Sequence, residues 1–435
     1  MKVIQNVRYY LLFDIVNKAI PFLLLPVLTI YLAPESYGSL SLFTVFQAFL
    51  SPFIHLVLSA NIHRTYFKQG KEATAKLIFN LQLLTIAGCL LVAMVVFIFK
   101  DPLADYLSLS STVLLCIPFV ILLGANIEYF LIIARNEEQV VGFGVFQIVY
   151  TSINLGLSLI FVIILNMDWY GRVYGSLISL ALMGGFSIVY LLKEGLIKAE
   201  LDLQLIKNCL WISLPLIPNG LANNIINLSD RFFIEELINK EALGIYSVGY
   251  ALGMIVHFAV TALNNAINPW IYQQLQTTTD ENIARRKIKL VRFTWLYAAM
   301  LICLVAGITL GGNLLIYLGF LSPSYKAASV YIFWVAASYA CFGMMLILFP
   351  YVANIGKTNY YFPLSIFVAL INLVGNYWLI QWAGAIGATY ATLISYFVLF
   401  IGTWIYAQKV YPMPWLSAKV FKLKLLDIQT LFDED

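Results

Sequence analysis

Twelve apolar runs of about twenty residues follow one another along this chain, and they restrict its fold more than any other feature. They fall at about 9–33, 37–60, 77–99, 111–134, 140–165, 171–192, 208–232, 243–268, 290–312, 329–352, 359–381 and 385–408. An α-helix rises 1.5 Å per residue, so some 20 residues cross the ~30 Å hydrocarbon core of a bilayer. Within that core every backbone polar group must be satisfied internally, which the helix does. The predicted fold class is an all-α integral membrane protein of twelve transmembrane helices. Composition agrees, with 61% hydrophobic and 11% charged residues and a mean hydropathy of +0.86, where soluble domains carry about 25% charge.

The basic residues orient the runs. With the N-terminus in the cytoplasm, twenty of the 26 Lys and Arg fall on the cytoplasmic side, including Arg64, Lys68, Lys71 and Lys76 and the group from Arg285 to Arg292. Five (Lys100, Arg172, Arg231, Lys240 and Lys326) fall on the other side, and Lys18 lies within the first run. This asymmetry predicts both termini inside. Lys2 and Arg8 before an apolar stretch imitate a signal peptide, but no small-residue cleavage site follows, so a retained first helix is expected. The five cysteines sit singly in apolar stretches and read as small buried hydrophobes.

Internal repetition divides the chain. "SINLGLSLIFVIILNMDWYGRVYGSLIS" (152–179) resembles "LINLVGNYWLIQWAGAIGATYATLIS" (370–395), and "PESYGSLSLF" (34–43) resembles "KEALGIYSVGY" (240–250) with Gly38 opposite Gly244. The expected organisation is two six-helix repeats around a central cavity. It comprises an N-terminal lobe at 1–195, a cytoplasmic linker at 196–207, a C-terminal lobe at 208–408 and a cytoplasmic tail at 409–435. An even number of spans per lobe gives both the same topology, related by an axis along the membrane normal.

Polar residues recur at helical spacing inside these runs. Span 2 carries Thr44, Gln47, Ser51, His55 and Ser59; span 8 carries Tyr250, His257, Thr261, Asn264 and Asn268. At the Gly38/Gly244 register the two stripes occupy equivalent faces. Span 7 adds Asn219, Asn223, Asn227, Asp230 and Arg231. Any one such residue suits an interhelical hydrogen bond. Stripes on repeat-related spans favour a hydrated cavity lined by spans 1, 2, 7 and 8, because lipid-facing polar groups are costly.

The first span holds Asp14 and Lys18. Starting after Lys18, residues 19–33 would cover only about 22 Å of the ~30 Å core, so the pair belongs inside. Two readings stand for it. The residues pair at i,i+4 and face the cavity, or Lys18 snorkels to the cytoplasmic interface with Asp14 beside it. Pro21 and Pro26 in span 1 are matched by Pro215 and Pro218 in span 7, and prolines at corresponding places in two halves point to moving helices at a transport site. Glu128 in span 4 is a further intramembrane charge, with Arg135 as its sequence-local partner. "GKT" at 356–358 lacks the preceding glycine of a phosphate loop, and neither HExxH nor Cys/His metal spacing occurs. External loops are short, which disfavours a membrane-embedded polymerase or acyltransferase. No enzyme activity, catalytic residue or bound metal is expected.

Together with these features, "NKAIPFLLLPVLTIYLAPESYGSLSLF" (17–43) and "SLPLIPNGLANNIINLSDRFFI" (213–234) resemble the polysaccharide-transporter branch of the MOP (multidrug/oligosaccharidyl-lipid/polysaccharide) exporter superfamily. The resemblance extends over residues 1–408 and implies a MOP/MATE-like fold. It implies a bacterial inner-membrane flippase for an undecaprenyl-diphosphate-linked oligosaccharide of the O-antigen or capsule type, working by alternating access. Lys18, Arg172, Arg231 and the intramembrane histidines are then candidates for the diphosphate. No cofactor is implied beyond H⁺ or Na⁺ coupling through Asp14, Glu128 or a histidine. The implied partners are the lipid-linked oligosaccharide, membrane lipids and other polysaccharide-assembly proteins, with no nucleic acid. The nearest alternative is a multidrug or cation antiporter of the same superfamily, with Asp14 as its span-1 acid.

Overall fold

The computed structural model describes residues 13, 17, 20, 22, 24–55, 59–214, 217–275 and 280–417. They are helical almost throughout: α1 (Pro34–His55), α2 (Ser59–Ile98), α3 (Lys100–Leu107), α4 (Ser111–Asn136), α5 (Val140–Leu159), α6 (Asp168–Lys193), α7 (Leu203–Ser213), α8 (Ile217–Leu237), α9 (Lys240–Gly253), α10 (Ile255–Leu275), α11 (Asp280–Tyr317), α12 (Ser329–Ala353), α13 (Tyr361–Ala383) and α14 (Ile386–Val410). Among the described residues, ten helical stretches are long and apolar enough to cross a membrane. The protein is a multi-pass all-α membrane protein. The run expected at 208–232 forms α8 but is not among the ten, because Asn219, Asn223, Asn224, Asn227, Asp230 and Arg231 interrupt its apolar character. The first run falls partly outside the described residues, which include 24–33 of it.

Helix boundaries follow local chemistry. Pro34 opens α1 at the position where a missing N–H costs nothing, with Glu35 in the first turn. Ser110 caps α4 by accepting from the Val113 amide, and Asp202 caps α7 by accepting from Leu205 at 2.9 Å. Gly70, at φ 83°, breaks α2 into an amphipathic entry segment and the span proper; an L-residue rarely adopts that conformation. A one-turn π-helix, Ile160–Ile164, ends α5.

The chain forms two compact units. Unit 1 comprises residues 1–247 with Leu321–Tyr325, and unit 2 the remainder. In unit 1, α4 packs against α1, α2 and α6, α5 packs on α6, and α8 packs on α1. In unit 2, α12 packs against α10, α11 and α14, and α13 packs on α14.

The sequence register survives as geometry within unit 1. A Cβ on Gly38 would lie 2.2 Å from the Lys240 carbonyl oxygen, and a Cβ on Gly244 would lie 1.7 Å from that of Pro34. Pro34 and Lys240 are themselves partners in the same register. So are Ser41 and Ser247, whose hydroxyls share a hydrogen bond of 2.9 Å. α1 and the start of α9 therefore approach closely here. In the other pair of similar segments each glycine packs within its own segment, not on its counterpart. A Cβ on Gly171 would lie 2.8 Å from Phe161 backbone, and one on Gly387, its equivalent, 2.0 Å from that of Leu379.

The segment between α6 and α7 is pinned to α2. Lys198 donates its amide to Ala75, Asn80 donates to the Glu200 carbonyl at 2.8 Å, and Asn80 accepts from the Asp202 amide at 2.9 Å. Lys76 pairs with Glu200 at 3.1 Å and Asp202 at 3.0 Å. The Leu205 amide and then Lys76 hold the Asp202 carboxyl below its usual range, and Lys76 does the same for Glu200. A depressed carboxyl adds stability above its unfolded pKa of about 4 and loses it as pH falls through the lower folded value. Hydrogen-exchange protection in 194–207, after division by the intrinsic rate at each pH, should therefore be constant between neutral pH and about pH 5, then fall as the medium is acidified further. Protection that already falls between pH 7 and 6 would contradict this. The groups are exposed, so high salt should also loosen the segment.

Candidate functional site

In unit 1, the span-2 stripe lies on α1, where Gln47, Ser51 and His55 are half-buried. His55 approaches Glu128 of α4, with Nδ1 to Oε2 at 3.6 Å. Arg135, the partner sequence spacing offers Glu128, instead lies over the Phe143 ring at 5.0 Å. The Glu128 side chain keeps 46% of its exposure and that of His55 21%, so the pair is only partly enclosed by protein. Each partner's helix carries an internal proline, Pro52 in α1 and Pro118 in α4. Proline deletes one helical hydrogen bond and lets a helix bend.

The stripe of α8 divides in two. Asn223 is exposed, and Asn227 donates to its carbonyl at 2.8 Å and to its side-chain oxygen at 3.2 Å. One turn on, Asp230 and Arg231 are buried together. Arg231 Nη1 donates to Asp230 at 3.0 Å and to the Asn227 carbonyl at 2.9 Å, and the Tyr246 hydroxyl donates to the other Asp230 oxygen. A buried ion pair with its remaining lone pair satisfied is a structural anchor more than a ligand-binding charge. Asn219 lies on α8, with its side chain outside the described residues.

Arg172 enters a polar knot that the stripe pattern did not assemble. It donates to Asn154 and, at 2.8 Å, to Ser158, while Asn154 donates to Ser179 at 2.8 Å. The π-helical turn that follows Ser158 lies beside this knot. Thr151, on the same helix as Asn154, donates to Asn17 of span 1. Asp14 and Lys18, expected beside it, lie outside the described residues, as does Pro21.

Unit 2 gathers the span-8 stripe into an aromatic cluster. The Tyr250 and Tyr339 hydroxyls lie 2.6 Å apart, and the His257 ring packs 4.8 Å from Tyr339 and 5.5 Å from Phe342. Asn264 is buried and Asn268 half-buried further along α10. Tyr339, Phe342 and Tyr396 stand in apolar runs without polar periodicity, so spacing alone could not mark them. No group of three metal-ligating side chains occurs among the described residues.

Apolar helices with polar faces packed against one another define a multi-pass helical membrane fold. Solved structures share it. An inward-facing multidrug resistance MATE family transporter of the MOP superfamily matches with a TM-score of 0.70 at 15% identity, over 91% of this chain and 97% of its own. MATE in a bent conformation matches at a TM-score of 0.61 and 15% identity, over 93% and 94%. Among curated sequences, the Lsg locus putative protein 1 of Haemophilus influenzae is 25% identical over 288 residues, 63% of this chain and 67% of its own. An uncharacterized membrane protein of that organism is 24% identical over 281 residues, again 63% and 67%. The model of the polysaccharide biosynthesis protein family matches residues 3–275. The chain belongs to that family. Its fold is that of these solved transporter structures.

Proposed function

We propose that the chain is an ion-coupled secondary transporter that exports a lipid-linked oligosaccharide by alternating access across a bacterial inner membrane. In this reading twelve spans form two six-helix lobes, at 1–195 and 208–408, with both termini in the cytoplasm. The repeat-related contacts of Gly38 with Gly244 and of Gly171 and Gly387 with their neighbours support the lobes. The observation that carries the cargo is the family match over residues 3–275.

The fold comparisons lean the other way. The neighbour at a TM-score of 0.70 is a multidrug transporter, and a drug or cation antiporter is the reading that solved structures back better. Both readings use a protonatable group within the bilayer, and the His55–Glu128 pair supplies one. Deleting the gene separates them: accumulation of undecaprenyl-linked oligosaccharide on the cytoplasmic face supports the flippase, and unchanged surface glycan with increased drug sensitivity supports the antiporter.

Coupling through the pair predicts that Glu128→Gln lowers gradient-driven export about tenfold or more while protein abundance stays normal. Export equal to wild type would remove Glu128 from the coupling. A hydrated face on α1 predicts that cysteines at Gln47, Ser51 and His55, in a cysteine-free background, react with a water-soluble thiol reagent. Cysteines at Phe46 and Phe49 should not; Phe49 packs 5.6 Å from Phe232. Equal labelling of the two sets would contradict the assignment.

A further inference from the structure

Unit 1 contains a cavity of 550 Å³ with a mixed polar and apolar lining, bounded by the entry segment of α2 and by α7. Arg64 and Lys68 line it four residues apart, hence on one helix face, and Asn208 and Trp211 line it from α7. Its floor is rigid: Leu77 and Cys209 belong to the hydrophobic cluster that includes Leu81 and Tyr129. Its wall is fixed by the hydrogen bonds from Asn80 to the linker and by the cap that Asp202 places on α7. The cavity is therefore built without any ligand.

Charge selects what fits. Asp202 lines the cavity, but Lys76 at 3.0 Å and the Leu205 amide already engage its carboxylate. Arg64 and Lys68 make no ion pair among the described residues. Two such cations with amide side chains beside them suit a phosphate group. The flanking side chains select its source. Trp211 is 82% exposed, and Phe67 and Leu203 are each 72% exposed, immediately beside the cavity-lining residues in sequence. Amphipathic and apolar groups next to basic ones at the end of a span belong at lipid-headgroup depth.

We propose that this cavity binds the phosphate of an anionic phospholipid headgroup, with the acyl chains against Trp211 and its apolar neighbours. The site is independent of the transported cargo. The test is native mass spectrometry of the full-length protein in detergent, titrated with dioctanoyl phosphatidic acid. At about 1 kcal/mol per basic residue, Arg64→Gln/Lys68→Gln should weaken binding about 30-fold. Asn208→Trp, which fills the cavity, should weaken it too. Lys193→Gln/Lys207→Gln, which removes two basic charges outside the cavity, should leave binding unchanged. Dioctanoylglycerol, without a phosphate, should not bind, and millimolar inorganic phosphate should not displace the lipid. Equal loss in both double variants would mean general surface charge and overturn the site. So would unchanged binding in Arg64→Gln/Lys68→Gln, or full displacement by inorganic phosphate.

Discussion

Gly244→Ala is expected to leave little folded protein, and Gly38→Ala to do nearly the same. The added methyl group would meet backbone, not a flexible side chain, at 1.7 Å in the first case and 2.2 Å in the second. No rotamer change relieves a clash with a carbonyl oxygen, so α1 and the start of α9 must separate. Overpacking typically costs about 1–3 kcal/mol and more where backbone must shift. The Ser41–Ser247 hydrogen bond, three residues along in both helices, would be lost with it. Gly185→Ala is the control, since nothing lies within 4 Å of a Cβ there. Thermal unfolding in detergent checks this. Full stability of Gly244→Ala would mean that the helices do not approach as described.

Asp230→Ala is the second severe substitution. It would leave the Arg231 guanidinium, 8% exposed as a residue, without its carboxylate, and the Tyr246 hydroxyl without its acceptor. Breaking a buried pair from one side costs about 3–5 kcal/mol, because a desolvated charge stays behind. Removing both charges is far milder, so Asp230→Ala/Arg231→Leu should recover much of the lost stability. A double variant as unstable as the single one would show that the pair is not energetically coupled. Normal abundance with lost export in Asp230→Ala would assign the residue to transport instead of to scaffolding.

What the sequence made legible follows the range of each interaction. The spans are local, and α4, α6, α12, α13 and α14 lie within a few residues of their apolar runs. Gly38 and Gly244 were legible as places of close approach, because small residues recur where helices touch, and both meet backbone at close range. Glu128 shows the limit. Arg135 is its neighbour along the chain, but His55, on another helix, is the group that reaches it. Asn80 is another case. In sequence it is one polar residue in the apolar run 77–99, yet it holds the linker backbone at Glu200 and Asp202, more than a hundred residues away. Its partners are main-chain groups, which leave no mark in residue identity. In the Arg172 knot, Asn154 and Ser158 stand four residues apart on one helix, but the arginine joins from the following helix, which spacing along one helix does not mark. The span-8 stripe gave Tyr250 and His257, while Tyr339 and Tyr396 came only from packing in unit 2.

The central claim is that this family member moves a lipid-linked oligosaccharide at the expense of an ion gradient. The purified protein in proteoliposomes containing undecaprenyl-diphosphate-linked oligosaccharide tests it most directly, read by lectin access to the sugar under an imposed proton or sodium gradient. If the proposed function holds, sugar becomes accessible on the far leaflet faster with a gradient than without, and Glu128→Gln removes the acceleration. Immobile sugar, in vesicles where the same protein exchanges an organic cation for protons, would contradict it and establish the antiporter.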